Sequence, residues 1–221
     1  MGRRDATPPV QDPVRLTQLP TRLAIFPLPG AILFPGLQLP LHIFEPRYRE
    51  LVSDALARDR RIGMIQPQSG GETAPLFAIG CVGKIGEVEA LDDGRYNIVL
   101  EGEARFRLLR EIEVGTPYRQ VEGELLSDAD DEVLSSAERA SFEREARRFA
   151  SAQGYSVDWE SVERLDDTML VNGVSQIAPF DAAAKQALLE APDLAQRCEL
   201  LVQLMQFFGK SDPDESRVTL Q

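Results

Sequence analysis

The chain has 221 residues, 43% of them hydrophobic, enough for one large domain or two small ones with a real core. A net charge of −12 weighs against a general nucleic-acid binder, and no apolar run reaches the roughly 18 residues that a membrane span needs. Two cysteines, Cys81 and Cys198, lie far apart, which speaks against a disulfide framework and for a reducing, cytoplasmic setting.

Residues 1–20 read as a flexible leader. Arg3-Arg4 hints at a twin-arginine signal, but no apolar stretch follows, and Ala6 breaks the myristoylation pattern. From Arg22 to Glu50 the chain reads RLAIFPLPGAILFPGLQLPLHIFEPRYRE. Proline lacks an N–H and fixes φ, so Pro27, Pro29, Pro35 and Pro40 exclude a helix. Leu23–Phe26, Ala31–Phe34 and Leu37–Leu41 are apolar and rich in strand formers. Short strands broken by turns at Pro29-Gly30 and Pro35-Gly36 satisfy both facts and suit a small, bent barrel.

Glu45 to Asp59 reads as a helix with Pro46 in its first turn and Tyr48, Leu51, Val52, Ala55 and Leu56 on one face. Strands follow at Arg61–Gln66 and Phe77–Ala90, around a loop at 68–74. Glycines 80, 83 and 86 suggest bulges or close backbone crossings. Asp92-Asp93-Gly94 makes a hairpin turn, and Arg95–Glu101, Ala104–Val114 and Tyr118–Leu126 complete the sheet.

The acidic stretch 127–132 (SDADDE) marks a boundary, after which the period becomes helical. Ser135 and Glu138 form a capping box for a helix through Ala152. Trp159–Leu165 and Met169–Ile177 are shorter helical segments. Asp181 and Asp193 cap helices reaching Glu190 and Phe208. The domain reading is therefore a β-rich part at 21–126, a helical part at 133–209 and a flexible tail at 210–221. Residues 1–125 carry 15 basic and 17 acidic groups, residues 126–221 carry 9 and 19. The acidic second part is a solvated helical surface or a face that attracts a basic partner.

No catalytic residue stands out. None of Lys84, Lys185 and Lys210 has a serine three residues before it, and His42, the one histidine, has no evident serine partner. Gly209-Lys210-Ser211 imitates the end of a phosphate loop, but position 204 is Leu and a helix precedes it. One histidine and two separated cysteines make no zinc site, so neither a metal nor a cofactor is expected. The polar cluster His42, Glu45, Arg47, Tyr48 and Arg49 has two readings. It is a rim that recognises a peptide, or Glu45 caps the helix, Tyr48 enters the core and an arginine pairs with Glu101 or Glu103. Arg105 likewise reads as a ligand contact or as one half of a buried ion pair.

Residues 23–51 resemble the opening of the Lon N-terminal (substrate-binding) domain family, and HIFEPRYRE is similar to free-standing bacterial members that lack the ATPase and protease parts. Residues 78–109 resemble the family's hairpin and its EG-x-x-R signature, here Glu101, Gly102 and Arg105. Residues 169–208 resemble the helical tail behind the barrel. The resemblance implies an α+β fold, a bent, PUA-like β-barrel followed by a C-terminal helical bundle, with Pro27, Pro35, Gly36 and Pro40 as structural signature. It implies a non-catalytic module that binds unfolded or tagged polypeptides, with a protease as further partner, acting as an adaptor in protein quality control. On this reading Phe34, Leu37 and Leu39 are the apolar peptide contacts, aided by an exposed sheet edge. The alternatives are an RNA-binding module using Arg58, Arg60 and Arg61, and a small hydrolase using His42.

Overall fold

Alternating apolar residues, interrupted by proline and glycine, build a single mixed sheet, and capped amphipathic segments build the helices beside it. The computed structural model describes residues 20–71, 73–126 and 133–209; the leader, the acidic boundary 127–132 and the tail lie outside the described residues. The strands are β1 (Thr21–Pro27), β2 (Gln38–Ile43), β3 (Arg61–Ile65), β4 (Ile79–Ala90), β5 (Tyr96–Ile112) and β6 (Gln120–Leu125). The helices are α1 (Pro46–Leu56), α2 (Ser136–Ala152), α3 (Trp159–Glu163), α4 (Asp167–Ile177), α5 (Ala182–Glu190) and α6 (Leu194–Phe208).

The strands pair in the order β2-β5-β4-β3-β1-β6, and β6 also pairs with β5. Five strands therefore form a closed circuit, with β2 outside it as an extra edge. β1 and β3 run parallel, joined by the crossover that contains β2 and α1; the other pairings are antiparallel. β5 can serve β2, β4 and β6 because the ladders slip a register at Val82/Gly83, Ile85/Val88 and Leu108/Arg110, and each bulge bends the strand.

Each strand of the circuit sends apolar side chains into one small cluster: Leu23, Ile25, Ile65, Val82, Phe106 and Val121. Phe106 is wholly buried there. Glycines on its neighbours make room for it: a Cβ at Gly80 would lie 2.6 Å from the Phe106 ring and 2.5 Å from the Met64 carbonyl oxygen, and one at Gly123 would lie 3.0 Å from the ring. The expectation of a close backbone crossing at Gly80 is met by the Met64 carbonyl. A second cluster packs Tyr48, Leu51, Val52 and Ala55 of α1 against the sheet, with Phe26 and Tyr48 rings 4.1 Å apart.

The helical half forms the third cluster. The Ser135 capping box is present, and Asp181 and Asp193 cap α5 and α6 through hydrogen bonds to Ala184 and Gln196. α4 begins at Asp167, two residues ahead of the expected start, with Asp166 as its cap. Two segments differ from expectation. Ala31–Phe34 is a loop, not a strand; its Ile32 and Phe34 are buried in the helical core and its Leu33 in the sheet-side core, so the strand-like composition records burial. The segments 95–101 and 104–114 belong to one strand, since Gly102 and Glu103 mark a bulge and not a break.

Polar side chains that grip main chain join the halves. Gln66 donates to the Ala182 carbonyl and to Gln186, and Gln186 donates to the Ile79 carbonyl. Arg105 is buried and donates to the carbonyls of Leu189, Ala191 and Pro192, at the C-terminal end of α5 where carbonyls lack helical partners. Cys81 sits in the sheet-side core and Cys198 in the helical core, both buried, and burial pushes the Cys198 thiol up to about 11. The disulfide reagent DTNB is accordingly expected to titrate no thiol in the native protein and both after unfolding in guanidinium; fast reaction of either native thiol would contradict this packing.

Candidate functional site

The proline loop between β1 and β2 is where the expected peptide contacts were placed. Phe34 is wholly buried. Its N–H donates to Gln176 of α4, Asn172 of α4 donates to the Pro35 carbonyl, and the Arg197 guanidinium of α6 lies 5.6 Å from the Phe34 ring. The loop turns at Gly36 (φ 80°) and meets β5 through Gly36 N–H to the Gly102 carbonyl and Gly102 N–H to the Leu37 carbonyl. Phe34 therefore cannot meet a peptide, because the helical half already covers it. Leu37 packs partly against the helical core and Leu39 against the sheet-side core.

The polar cluster is divided between two clefts. Glu45, Arg47 and Tyr48 line one of about 260 Å³ together with Pro27, Tyr118 and Arg119. Glu45 occupies the N-cap position of α1 without capping; its carboxylate pairs with Arg47 at 2.9 Å, and the buried Tyr48 carries the Arg47 guanidinium 4.6 Å above its ring. Tyr118 donates to Asp54 at 2.5 Å, and burial with that carboxylate raises its phenol to about 12. Glu103 pairs with Arg61, at 2.6 Å, and Arg49 donates to the Asp93 carbonyl.

His42 lies apart, in a cleft with Pro40, Glu89 and Asn97. Asn97 donates through its amide to Glu89, so its oxygen faces His42 Nδ1 at 2.7 Å, while Arg95 approaches Nε2 at 3.2 Å. This chain of donors fixes the tautomer: Nδ1 carries the proton, and Nε2 accepts from a guanidinium.

The β2 edge is less open than expected. Pro40 offers no donor to its β5 partner, so the alternate residues carry the ladder, and Gln38, Pro40 and His42 turn their main chain outward. The Gln38 carbonyl is already taken by Gln176. A missing donor and an occupied acceptor leave an added strand little to bond.

One cavity is of a different kind. Between α2, the α3 segment and α4 lies a groove of about 490 Å³ with Met205 at its base. Phe142 and Phe149 of α2 form one side, Val174 and Ile177 of α4 the other, and Trp159 and Val162 of α3 the third. Ile177 is 79% exposed, and Tyr155 and Leu165 stand open at the rim. The volume falls in the range of roughly 300–1,000 Å³ typical of ligand pockets. Glu143, the one carboxylate in the lining, is paired with Arg139 at 2.7 Å, and the rest of the lining is mostly apolar area. No group of three or more metal-ligating residues occurs among the described residues, and no helix there is long and apolar enough to cross a membrane.

A mixed sheet with a docked helical half places the chain in the α+β class. It belongs to the family of the ATP-dependent protease La (LON) substrate-binding domain, whose model matches residues 22–206. It is 25% identical over 211 residues to the Lon protease of Cytophaga hutchinsonii, covering 90% of this chain and 26% of that protein. To the Lon protease of Roseiflexus castenholzii it is 34% identical over 115 residues, 51% of this chain and 14% of that protein. The chain spans about a quarter of the length of the Lon proteases that match most of it, and the match lies in their substrate-binding domain. Among solved structures, a Lon N-terminal domain protein from Xanthomonas campestris aligns with a TM-score of 0.64 at 21% identity, over 83% of this chain and 98% of that one. The N-terminal domain of a Mycobacterium avium complex Lon protease aligns at 0.62 and 19%, over 84% and 98%.

Proposed function

We propose that this chain is a polypeptide-binding module that holds unfolded or tagged polypeptides in the groove between α2, α3 and α4, without a chemical step of its own. The observation that carries the reading is the groove: an open, apolar cavity rimmed by the exposed Ile177, in a domain whose family is described by substrate binding. Burying apolar side chains there releases water, which suits a receptor for the apolar segments that unfolded chains expose. An adaptor or substrate-recognition role in cytoplasmic protein quality control, with a protease as further partner, follows from this reading. The closed circuit of five strands supports a bent, PUA-like barrel at 21–126 as the platform, with 133–209 as the helical part that carries the site.

The rivals have less behind them. His42 as a general base needs a free Nε2 lone pair, and Arg95 occupies it. Of the three arginines that would contact RNA, Arg61 pairs with Glu103 and Asp59, and Arg60 donates to the Gly86 carbonyl.

The test is titration with reduced, carboxymethylated α-lactalbumin as a permanently unfolded probe. Wild-type protein binds it, and Ile177→Asp raises Kd about tenfold or more, since a charge in the groove opposes apolar burial. Phe44→Asp, at a 60% exposed position beside His42, leaves Kd unchanged. The opposite pattern moves the site to the sheet end; no binding by wild type removes the proposal.

A further inference from the structure

We propose that α3 is an internal placeholder in the groove, and that the polypeptide segment the groove takes is a helical turn with an aromatic and an aliphatic residue three positions apart, replacing Trp159 and Val162. The inference rests on the groove being the polypeptide site and adds what kind of segment enters it.

Trp159 and Val162 are one helical turn apart, so both point from α3 to the same side. They are the apolar residues of α3 that pack on the helical core and line the groove. The rest of α3 contributes little. It is five residues long and none of them is buried. A helix so short, far below the roughly 12–15 residues needed for marginal stability alone, exists only by docking. Its footprint is a record of what the groove accepts: a ring and a branched aliphatic side chain at i and i+3.

The walls differ in how firmly they are held. The α4 wall is fixed, because Asn172 and Gln176 bind the proline loop and Arg197 donates to Asn172. The α3 wall is held to α2 by Arg147, whose guanidinium lies 4.4 Å above the Trp159 ring and 2.8 Å from Glu163. The side chains of that ion pair are 42% and 58% exposed, and exposed pairs contribute little. Upstream, Gly154 (φ 72°) ends α2 and the residues to Ser156 are exposed. Downstream, Arg139 grips the Leu165 carbonyl and Asp167. The segment between Gly154 and Leu165 can therefore swing out from its firm downstream end while α2 and α4 stay in place. An incoming turn with the same two anchors gains the groove at the cost of a weakly held contact.

Trp159 is the one tryptophan in the chain, so its fluorescence reports this wall alone. The experiment titrates the full chain with two tryptophan-free, helix-forming peptides of identical composition, one with Phe and Val three positions apart, the other two apart. The matched peptide is expected to bind at least tenfold more tightly and to shift Trp159 emission to the red as the ring leaves the groove. Glu163→Gln, which loosens the wall, is expected to raise affinity for the matched peptide about threefold. Equal affinity for the two peptides, binding without an emission change, or no gain in Glu163→Gln overturns the inference. If the unfolded α-lactalbumin probe still binds and Ile177→Asp still weakens that binding about tenfold or more, only the placeholder falls. If neither probe binds wild type, the groove reading falls and takes the placeholder with it.

Discussion

Gly102→Ala is expected to lower the thermal midpoint by about 6–12 °C, corresponding to roughly 3 kcal/mol. A Cβ at this position would lie 2.1 Å from the Phe34 carbonyl oxygen and 2.9 Å from its carbon. Those are main-chain atoms, so no rotamer change relieves the clash; the proline loop or β5 must move. Moving the loop strains its bonds to Asn172 and Gln176 at once, since Gly102 also exchanges hydrogen bonds with Gly36 and Leu37. Gly115→Ala supplies the comparison. A Cβ there meets nothing within 4 Å, and its midpoint should stay within about 1–2 °C of wild type. Scanning calorimetry of the two variants decides the matter: equal midpoints would show that the loop yields freely, contrary to the geometry.

Arg105→Met is expected to cost about 3–5 kcal/mol, the scale found when one partner of a buried charged contact is removed. Methionine fills a similar volume but leaves the carbonyls of Leu189, Ala191 and Pro192 without their donor in a dry site. Arg105→Lys is expected to recover only part of the loss, because one ammonium cannot present the planar fork that reaches three carbonyls on two sides. Urea unfolding of the two variants checks this. If lysine restores full stability, charge at the α5 terminus is what matters, and the fork is not.

Much of the architecture was legible in the residues. Helix starts were marked by Ser135, Asp181 and Asp193, whose side chains accept the N–H groups that a helix leaves unpaired. The glycines of β4 announced close approaches, and Gly80 makes one, against the Met64 carbonyl. Harder to read was which apolar residues would be covered. Phe34 and its neighbours carry strand-like composition and sit beside turns, which suggested exposed loops; the helices that bury Phe34 come over 130 residues later in the chain. The groove was illegible for a related reason. It is a gap left between packed elements, and its lining residues look like ordinary core positions when taken helix by helix. One signal was present in α4, whose apolar side chains spread wide: Val171 is buried in the helical core, while Met169, Leu170, Val174 and Ile177 line the groove. A helix apolar beyond one stripe has a second surface to satisfy.

The joint between sheet and helices has a consequence for how such a domain can diverge. Asn172, Gln176, Gln66, Gln186 and Arg105 hold carbonyl oxygens of Pro35, Gln38, Ala182, Ile79 and the α5 terminus, and every residue type carries that oxygen. A clasp of this kind specifies the path of the strand or loop it grips and is indifferent to the side chains along it. Substitutions can accumulate on the gripped segments, and the two halves keep the same mutual placement so long as the few gripping amides and the guanidinium persist.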